Sequence, residues 1–315
     1  MIATVTLNPS LDEWVDLPAL RPGELHRATN FARYPGGKGV NVSRVIHELG
    51  GRSVAFAMAG GDDGDVFDRL VRRLGVRLAI VPIPGSTRNN YKLRTARPPA
   101  VTEINTAGPP VPARALRALE RRLSQRRATC LVLSGSLPPN TPPGVYARWI
   151  RRFGRRGTPT VLDTSGRAFR LGLAARPWLV KPNHQEAEEA LGRRIAGLSG
   201  AARAARALVA AGPRLVILSL GAEGAVLADS RCAWHAWAPR VRVNSAVGAG
   251  DSLVGGFLAG WAAGRPLLEA FRLGVAAGTA TALTPGTELC HRADVRRLLP
   301  RVRMNIIVDT HRFPG

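Results

Sequence analysis

Short apolar, β-branched runs alternate with longer amphipathic stretches along most of this chain. Ser53–Ala59, Cys130–Leu133, Thr160–Leu162 and Leu215–Leu218 are continuous apolar runs of strand length, as expected of strands covered on both faces. Met1–Leu7 reads as a first strand. Apolar residues recur at helical spacing in Val40–Leu49, Val66–Leu74, Ala113–Arg126, Val145–Phe153, Gly200–Ala211, Ser252–Ala263 and Leu267–Ala282. Strands alternating with helices predict βαβ units around a mostly parallel sheet, an α/β fold in three layers. Two stretches break the rhythm. Residues 12–34, bracketed by Arg-Pro-Gly and Pro-Gly-Gly, and residues 88–105, bent at Arg-Pro-Pro, read as antiparallel hairpins. Together they could form a small accessory sheet. With no repeat and no low-complexity linker, the expectation is one domain over residues 1–308, carrying that small sheet, and a loose tail over 309–315.

Composition narrows the function classes. The chain has 315 residues, 45% of them hydrophobic, enough for a full α/β core. Its three cysteines, Cys130, Cys232 and Cys290, lie far apart without a Cys-x-x-Cys, which argues against a disulfide scaffold or a zinc ribbon. No apolar run reaches the roughly 18 residues that a bilayer demands, and Met1–Leu7 lacks the basic head of a signal peptide. A cytoplasmic protein without membrane partners is expected.

The 45 basic residues against 22 acidic ones give a formal charge of +23, and all but three of the basic residues are arginine. The arginines are scattered, often in pairs such as Arg121-Arg122 and Arg155-Arg156, with no basic tail or aromatic-studded basic tract. That is the pattern of a solvated surface in an arginine-biased composition, not of a dedicated nucleic-acid binder. The same bias makes Lys38, Lys92 and Lys181 informative, because a compact ammonium differs chemically from a planar fork.

Candidate chemistry gathers in Gly-rich segments. Asn244-Ser-Ala-Val-Gly-Ala-Gly-Asp251 runs straight into a helix, so the amides around Gly248, Ala249 and Gly250 would face an anion. Asp251 beside that anion suits a general base, although an Asp after a Gly turn can also be a plain helix cap. Pro35-Gly36-Gly37-Lys38-Gly39-Val40-Asn41 again leads Gly-rich backbone into a helix, but it is not a Walker A loop, with Gly39 at the Ser/Thr position. In Lys181-Pro-Asn183-His-Gln-Glu186 the Asn and Glu share one helical turn. This spacing fits either a hydrated magnesium site or a capping box. Ser134-Gly-Ser136-Leu-Pro-Pro ends a buried strand where α/β sheets favour ligands, and Ser219-Leu-Gly221-Ala-Glu-Gly224 is a tight strand-to-strand turn.

In their order along the chain, Asn8-Pro-Ser-Leu-Asp12, Gly36-Gly-Lys-Gly-Val-Asn41, Thr87-Arg88-Asn-Asn90, Lys181-Pro-Asn-x-x-Glu186 and Gly248-Ala-Gly-Asp251 strongly resemble the ribokinase-like, phosphofructokinase B family of sugar kinases. The resemblance runs from Met1 to about Leu299. It implies a three-layer α/β/α domain with a β-sheet lid formed by the two excursions. It also implies ATP as co-substrate with Mg²⁺, Asp251 as catalytic base and Gly248–Gly250 as the anion hole. Asp12, Gly36, Gly37, Lys38, Asn41, Arg88, Asn90, Lys92 and Ser136 map to the sugar-phosphate side, with Glu103 and Asn105 on the lid strand nearby. Lys181, Asn183, Ser219, Gly221 and Gly224 map to the nucleotide, and Glu186 with Asn183 to the magnesium network. The resemblance leaves open a monovalent-cation requirement and a homodimer through the lid.

Lys38, Thr87–Lys92 and Ala175–Asn183 resemble 1-phosphofructokinases, whereas Gly274–Gly278 and Gly286–Cys290 look more like a 6-phosphofructokinase group. Tagatose-6-phosphate kinases share the lysine at the Lys38 position. Fructose 1-phosphate is the favoured acceptor, with the 6-phosphate sugars as alternatives. A non-catalytic sugar-phosphate or nucleotide sensor on the same fold is the rival from a different class.

Overall fold

A computed structural model describes residues 1–309. The strands are β1 (Ile2–Thr6), β2 (Ser10–Leu17), β3 (Asn30–Gly36), β4 (Ser53–Ala59), β5 (Leu78–Pro82), β6 (Arg88–Ala96), β7 (Pro99–Asn105), β8 (Cys130–Ser134), β9 (Thr160–Asp163), β10 (Leu179–Val180), β11 (Leu215–Ser219), β12 (Ala225–Ala228), β13 (Cys232–Ala236) and β14 (Met304–Asp309). Ten of them form one sheet in the order β14-β13-β12-β11-β10-β9-β8-β1-β4-β5. From β5 to β11 neighbours run parallel, and the remaining strands at the β14 edge are antiparallel. Asp309, read from sequence as the start of a tail, closes β14; the rest of that stretch lies outside the described residues.

The apolar runs become buried central strands because helices cover both faces. Successive side chains alternate across a strand. Val54, Phe56 and Met58 of β4 therefore enter one core, while Ala55, Ala57 and Ala59 enter another. Helices α1 (Lys38–Glu48) and α2 (Gly61–Arg73) cover the second face. The first face is covered by α3 (Ala113–Ser124), α4 (Val145–Gly154), α5 (Gly166–Leu173), α6 (His184–Leu191) and α7 (Gly197–Ala210). The chain then returns to the α1 side with α8 (Ala249–Ala262), α9 (Leu267–Thr281) and α10 (Arg292–Leu298).

Helix α8 is buried without interruption from Asp251 to Gly260, an exceptional state for a helix carrying a carboxylate. Its glycines allow it: a Cβ on Gly255 would meet Val45 of α1 at 2.7 Å, and one on Gly256 would meet Ala277 of α9 at 2.7 Å. This close approach wedges α8 between two helices and fixes where its first turn sits.

The two excursions form a separate four-stranded sheet in the order β3-β2-β6-β7. Each excursion is an antiparallel hairpin, as its turn residues predict, but the seam between them, β2 with β6, is parallel. One edge strand, β7, is exposed throughout, and the outward face shows Phe31, Tyr91 and Ile104. Among the described residues no helix is long and apolar enough to cross a membrane.

Candidate active site

A cleft of about 1260 Å³ lies outside the carboxyl ends of the parallel strands, under the small sheet. That is where an open α/β sheet binds ligands, at the point where consecutive strands depart in opposite directions. Here β1 is flanked by β4 and β8, and the side chains just beyond these ends meet: Asn8 Nδ2 donates to Ser136 Oγ at 3.3 Å. The volume exceeds that of an ordinary single-ligand pocket of roughly 300–1,000 Å³ and leaves room for two substrates.

Two helix N-termini open into the cleft, each approached through glycine. Gly37 caps α1 with φ +125°, and a Cβ there would strike Thr6 at 2.7 Å. Gly248 caps α8 in the left-handed region at φ +81°. Neither N-cap residue makes a side-chain cap, although Thr6 Oγ1 accepts the Val40 amide of α1 at 3.0 Å, and the positive ends of both helices face the cleft. At α8 the amides differ. That of Ala249 donates to the Ala246 carbonyl at 3.3 Å, whereas those of Gly248 and Gly250 meet no acceptor among the described residues. Of the expected anion hole, the glycine amides are the free donors.

The floor of the cleft is a buried charge cluster. Asp163, fully buried at the end of β9, accepts Lys38 Nζ at 3.0 Å and faces Lys181 Nζ at 3.5 Å, both on Oδ1. Among the described residues its Oδ2 has no partner. Burial alone would raise the Asp163 pKa, but the two ammonium groups outweigh it and hold the carboxyl below its usual range. Lys38 is shifted the other way, upward, chiefly by Asp163 and against burial, with help from Asp251 and Glu186. Asp251 is 7% exposed, and burial pushes its pKa up to about 6 with the Asp163 charge adding to the rise, while Lys38, the Asn41 hydrogen bond and Lys181 restrain it. Asn41 Nδ2 donates to Asp251 Oδ2 at 2.8 Å, leaving Oδ1 open. A buried carboxylate with a pKa brought close to neutrality suits a general base.

The lid supplies the opposite wall. Asp12 Oδ1 accepts from Ser10 Oγ at 2.9 Å and Asn90 Nδ2 at 3.1 Å, and Gly36 is required beside it because a Cβ would sit 2.6 Å from that oxygen. Arg88 donates to three neutral oxygens, those of Thr106 at 2.9 Å, Asn8 at 3.2 Å and Asn90 at 3.4 Å. Its Nε is buried without a partner among the described residues, and burial lowers the Arg88 pKa against the pull of Asp12. Lys92, almost wholly buried, pairs with Glu103 at 2.9 Å and lies over the Trp14 ring.

The residues singled out from sequence therefore converge, with three exceptions. Gly36 stands behind the wall as a spacer for Asp12. Glu103 reaches the site only through Lys92, and Asn105, opposite Asn90 in the register, is exposed outside the cleft wall. At the far end Asn183 and Glu186 form a complete capping box on α6, Asn183 Oδ1 accepting the Glu186 amide at 2.8 Å and Glu186 Oε2 the Asn183 amide at 2.9 Å. Among the described residues no group of three or more His, Cys, Asp or Glu side chains could hold a metal by itself. Ser219 and Gly221 line the cleft beside Lys181, and Gly224 has no room for a side chain against the Ala236 carbonyl. Sequence reading missed Asp163. A carboxylate ending an otherwise apolar strand, Thr160-Val-Leu-Asp163, is the signal that points to it.

Residues 5–294 match the model of the pfkB family carbohydrate kinases. The chain belongs to that family. The kinase is 38% identical over 305 residues to the 1-phosphofructokinase of Bacillus subtilis, covering 96% of this chain and 99% of the relative. It is 36% identical to the ATP-dependent 6-phosphofructokinase isozyme 2 of Mycobacterium tuberculosis, over 94% of this chain and 88% of that one. In structure it resembles phosphofructokinase-2 of Escherichia coli in complex with substrates and products, with a TM-score of 0.91 at 33% identity, covering 96% of this chain and 99% of the other. That relative is also known in complex with potassium and in a tetrameric inhibited form.

Proposed function

We propose that this kinase transfers the γ-phosphoryl group of ATP to a ketohexose phosphate, with fructose 1-phosphate as acceptor and fructose 1,6-bisphosphate as product. One observation carries the reading: a buried carboxylate, Asp251, with one free oxygen beside unused glycine amides at a helix N-terminus. The acceptor hydroxyl gives its proton to Asp251 Oδ1. Its oxygen bonds the γ-phosphorus as the bond to the β,γ-bridging oxygen breaks, and ADP leaves with that electron pair. Gly248 and Gly250 amides, Lys38 and Lys181 stabilise the charge gathering on the phosphoryl oxygens.

Magnesium fits the oxygen donors present. The unpartnered Oδ2 of Asp163 and the Glu186 carboxylate, which both act on Lys38, offer hard ligands directly or through water, with Asn183 beside them. Bound with ATP, the ion would neutralise phosphate charge. An ion held largely by phosphates and water needs few ligands from the protein.

The acceptor carries a phosphate because Arg88 is otherwise spent on neutral oxygens, with Nε unpartnered and the cleft before it. The B. subtilis 1-phosphofructokinase supports the 1-phosphate. The M. tuberculosis and E. coli relatives keep fructose 6-phosphate as the second reading, with tagatose 6-phosphate beside it. The same proposal includes a single kinase domain with its lid, a cytoplasmic setting and pairing of two copies through the lid face that shows Phe31, Tyr91 and Ile104. The potassium complex of the E. coli relative supports a monovalent-cation effect.

ADP release measured with ATP and a panel of fructose, fructose 1-phosphate, fructose 6-phosphate and tagatose 6-phosphate tests the reading. Fructose 1-phosphate should give the highest kcat/KM. No turnover with any sugar would favour the sensor.

A further inference from the structure

We infer that Arg44 is a positioning residue for the transfer: its guanidinium dictates which end of the Asn41 amide faces Asp251, and hence which carboxylate oxygen is free to accept the proton. The inference rests on the reading of Asp251 as the base.

Arg44 stands one turn beyond Asn41 on α1, and its NH1 donates to Asn41 Oδ1 at 3.1 Å and to the Thr287 carbonyl at 3.4 Å. It is not among the residues that line the cleft. An amide has a donor end and an acceptor end of nearly equal size, and its orientation follows from its neighbours. Arginine can only donate, so only the oxygen end of the amide can face it. Asn41 must then turn its Nδ2 to Asp251 Oδ2, where the hydrogen bond measures 2.8 Å. Turned over, the amide would set its oxygen against the carboxylate and its NH₂ against the guanidinium, two repulsive contacts at once. One Arg44 bond thus fixes one donor on Oδ2 and reserves Oδ1 for the acceptor hydroxyl.

The cost of holding this cation inside marks it as different from the surface arginines. Burial lowers its pKa, and no carboxylate is among its hydrogen-bond partners; the fields of Asp12, Asp251, Glu288 and Cys290 only offset that burial. Its second anchor is also tied to the rest of the site. The carbonyl of Gly286, beside Thr287, accepts Ser245 Oγ at 2.7 Å, and Gly286 packs under Trp14 and Tyr34 of the lid. Asp251 also feels Lys38, Lys181 and Asp163, none of which the variants below change.

The test compares pH profiles of kcat/KM for the intact enzyme, Arg44→Met, Arg44→Lys, Asn41→Ala and the Arg44→Met/Asn41→Ala double variant, with thermal melts of each. Arg44→Met should lower kcat roughly 10–100-fold and move the acidic limb upward by about one unit, because the carboxylate loses a nearby positive charge and its Asn41 donor is held less firmly. Its KM for ATP should stay within about twofold, and Arg44→Lys should restore part of the rate. In the Asn41→Ala background the Arg44→Met change should shrink to less than about threefold, since the two act through one contact. A full-size loss in that background, with an unmoved acidic limb, would overturn the inference and leave Arg44 as a brace for the 283–290 segment. If Arg44→Met melts below the assay temperature, Arg44→Gln, uncharged and able to accept as well as donate, carries the test: an unshifted limb at full kcat overturns the inference equally. Failure of the base assignment looks different, because Asp251→Asn would then keep near-normal kcat.

Discussion

The floor and the lid wall of the cleft handle positive charge in opposite ways. On the floor, Lys38 and Lys181 are both drawn to one buried carboxylate, Asp163, and every cation is matched before any ligand arrives. On the lid wall, Arg88 leans on carbonyl and amide oxygens and keeps one buried N–H unsatisfied. A matched cluster is rigid and sets the field in which Asp251 titrates. An unmatched guanidinium is a costly state that an incoming phosphate relieves by charge-assisted hydrogen bonds. On the proposed function the floor would serve the chemical step and the wall recognition, and substitutions on the two sides should divide between kcat and KM.

The largest effect belongs to the floor. Asp251→Asn removes the proton acceptor but preserves shape, and kcat should fall by about 10²–10⁴-fold with the fold intact. The intact enzyme should lose kcat/KM as pH drops through about 6, where the Asp251 carboxylate becomes protonated. Burial raises this group above its unfolded value, so the folded state binds the proton more tightly, and Asp251 contributes more stability on the acid side of that window. Near-normal turnover by Asp251→Asn at neutral pH would make the floor a structural cluster only.

Next comes the wall. Arg88→Ala should raise KM for the phosphosugar by roughly 10–100-fold, the worth of one hydrogen bond to a charged group, and change KM for ATP little. Free fructose should be turned over far more poorly than fructose 1-phosphate, by about 10⁴ if the wall's polar groups are left unpaired. Equal kcat/KM on the two sugars would break the division between floor and wall.

A subtler exchange probes why lysine survives in a chain so rich in arginine. Lys181 Nζ shares Asp163 Oδ1 with Lys38 and lies 3.4 Å from where a Cβ on Gly250 would be. Two point charges can share one oxygen there, but a planar fork would press on the α8 glycine turn. Lys181→Arg keeps the charge and should still lower kcat roughly tenfold, about 1.4 kcal/mol. Unchanged kinetics would show that the floor needs charge alone.

These residues differ in how visible they are before folding. Asp251, Lys38 and Arg88 sit inside local patterns of glycine, charge and helix onset, so their chemistry could be read from short segments. The alternation of buried strands and helices was equally legible, because burial on both faces writes itself into sequence as unbroken apolar runs. Arg44 carries no local mark, and Asp163 only that of a carboxylate ending an apolar strand. Asp163 becomes a site residue only when β9 lies beside β8 and β10, and Arg44 only when α8 brings Asp251 against α1. The parallel seam between β2 and β6 joins distant segments, and neither hairpin's turn residues encode it. Glu103 and Asn105 stand opposite Lys92 and Asn90 in the register, but on an edge strand that is exposed throughout.

The smallest predicted effect separates two roles that share one pair of side chains. Asn183 and Glu186 make a capping box, and the Glu186 carboxylate also acts on Lys38 across the cleft. A glutamine at this position still offers an oxygen to the Asn183 amide, and capping boxes accept Gln as readily as Glu. Glu186→Gln should therefore leave the melting temperature nearly unchanged and raise the Mg²⁺ concentration for half activity several-fold, since only the charge is lost. Glu186→Ala should do both, with a stability loss of about 1 kcal/mol from the broken cap. Melts with and without Mg²⁺-ADP provide a readout apart from turnover: the nucleotide should stabilise the Gln variant less than the intact enzyme. An unaltered Mg²⁺ titration in Glu186→Gln, together with a melting loss in Glu186→Ala, would confine the pair to capping and leave the floor's carboxylate Asp163 as the protein's contribution to the metal.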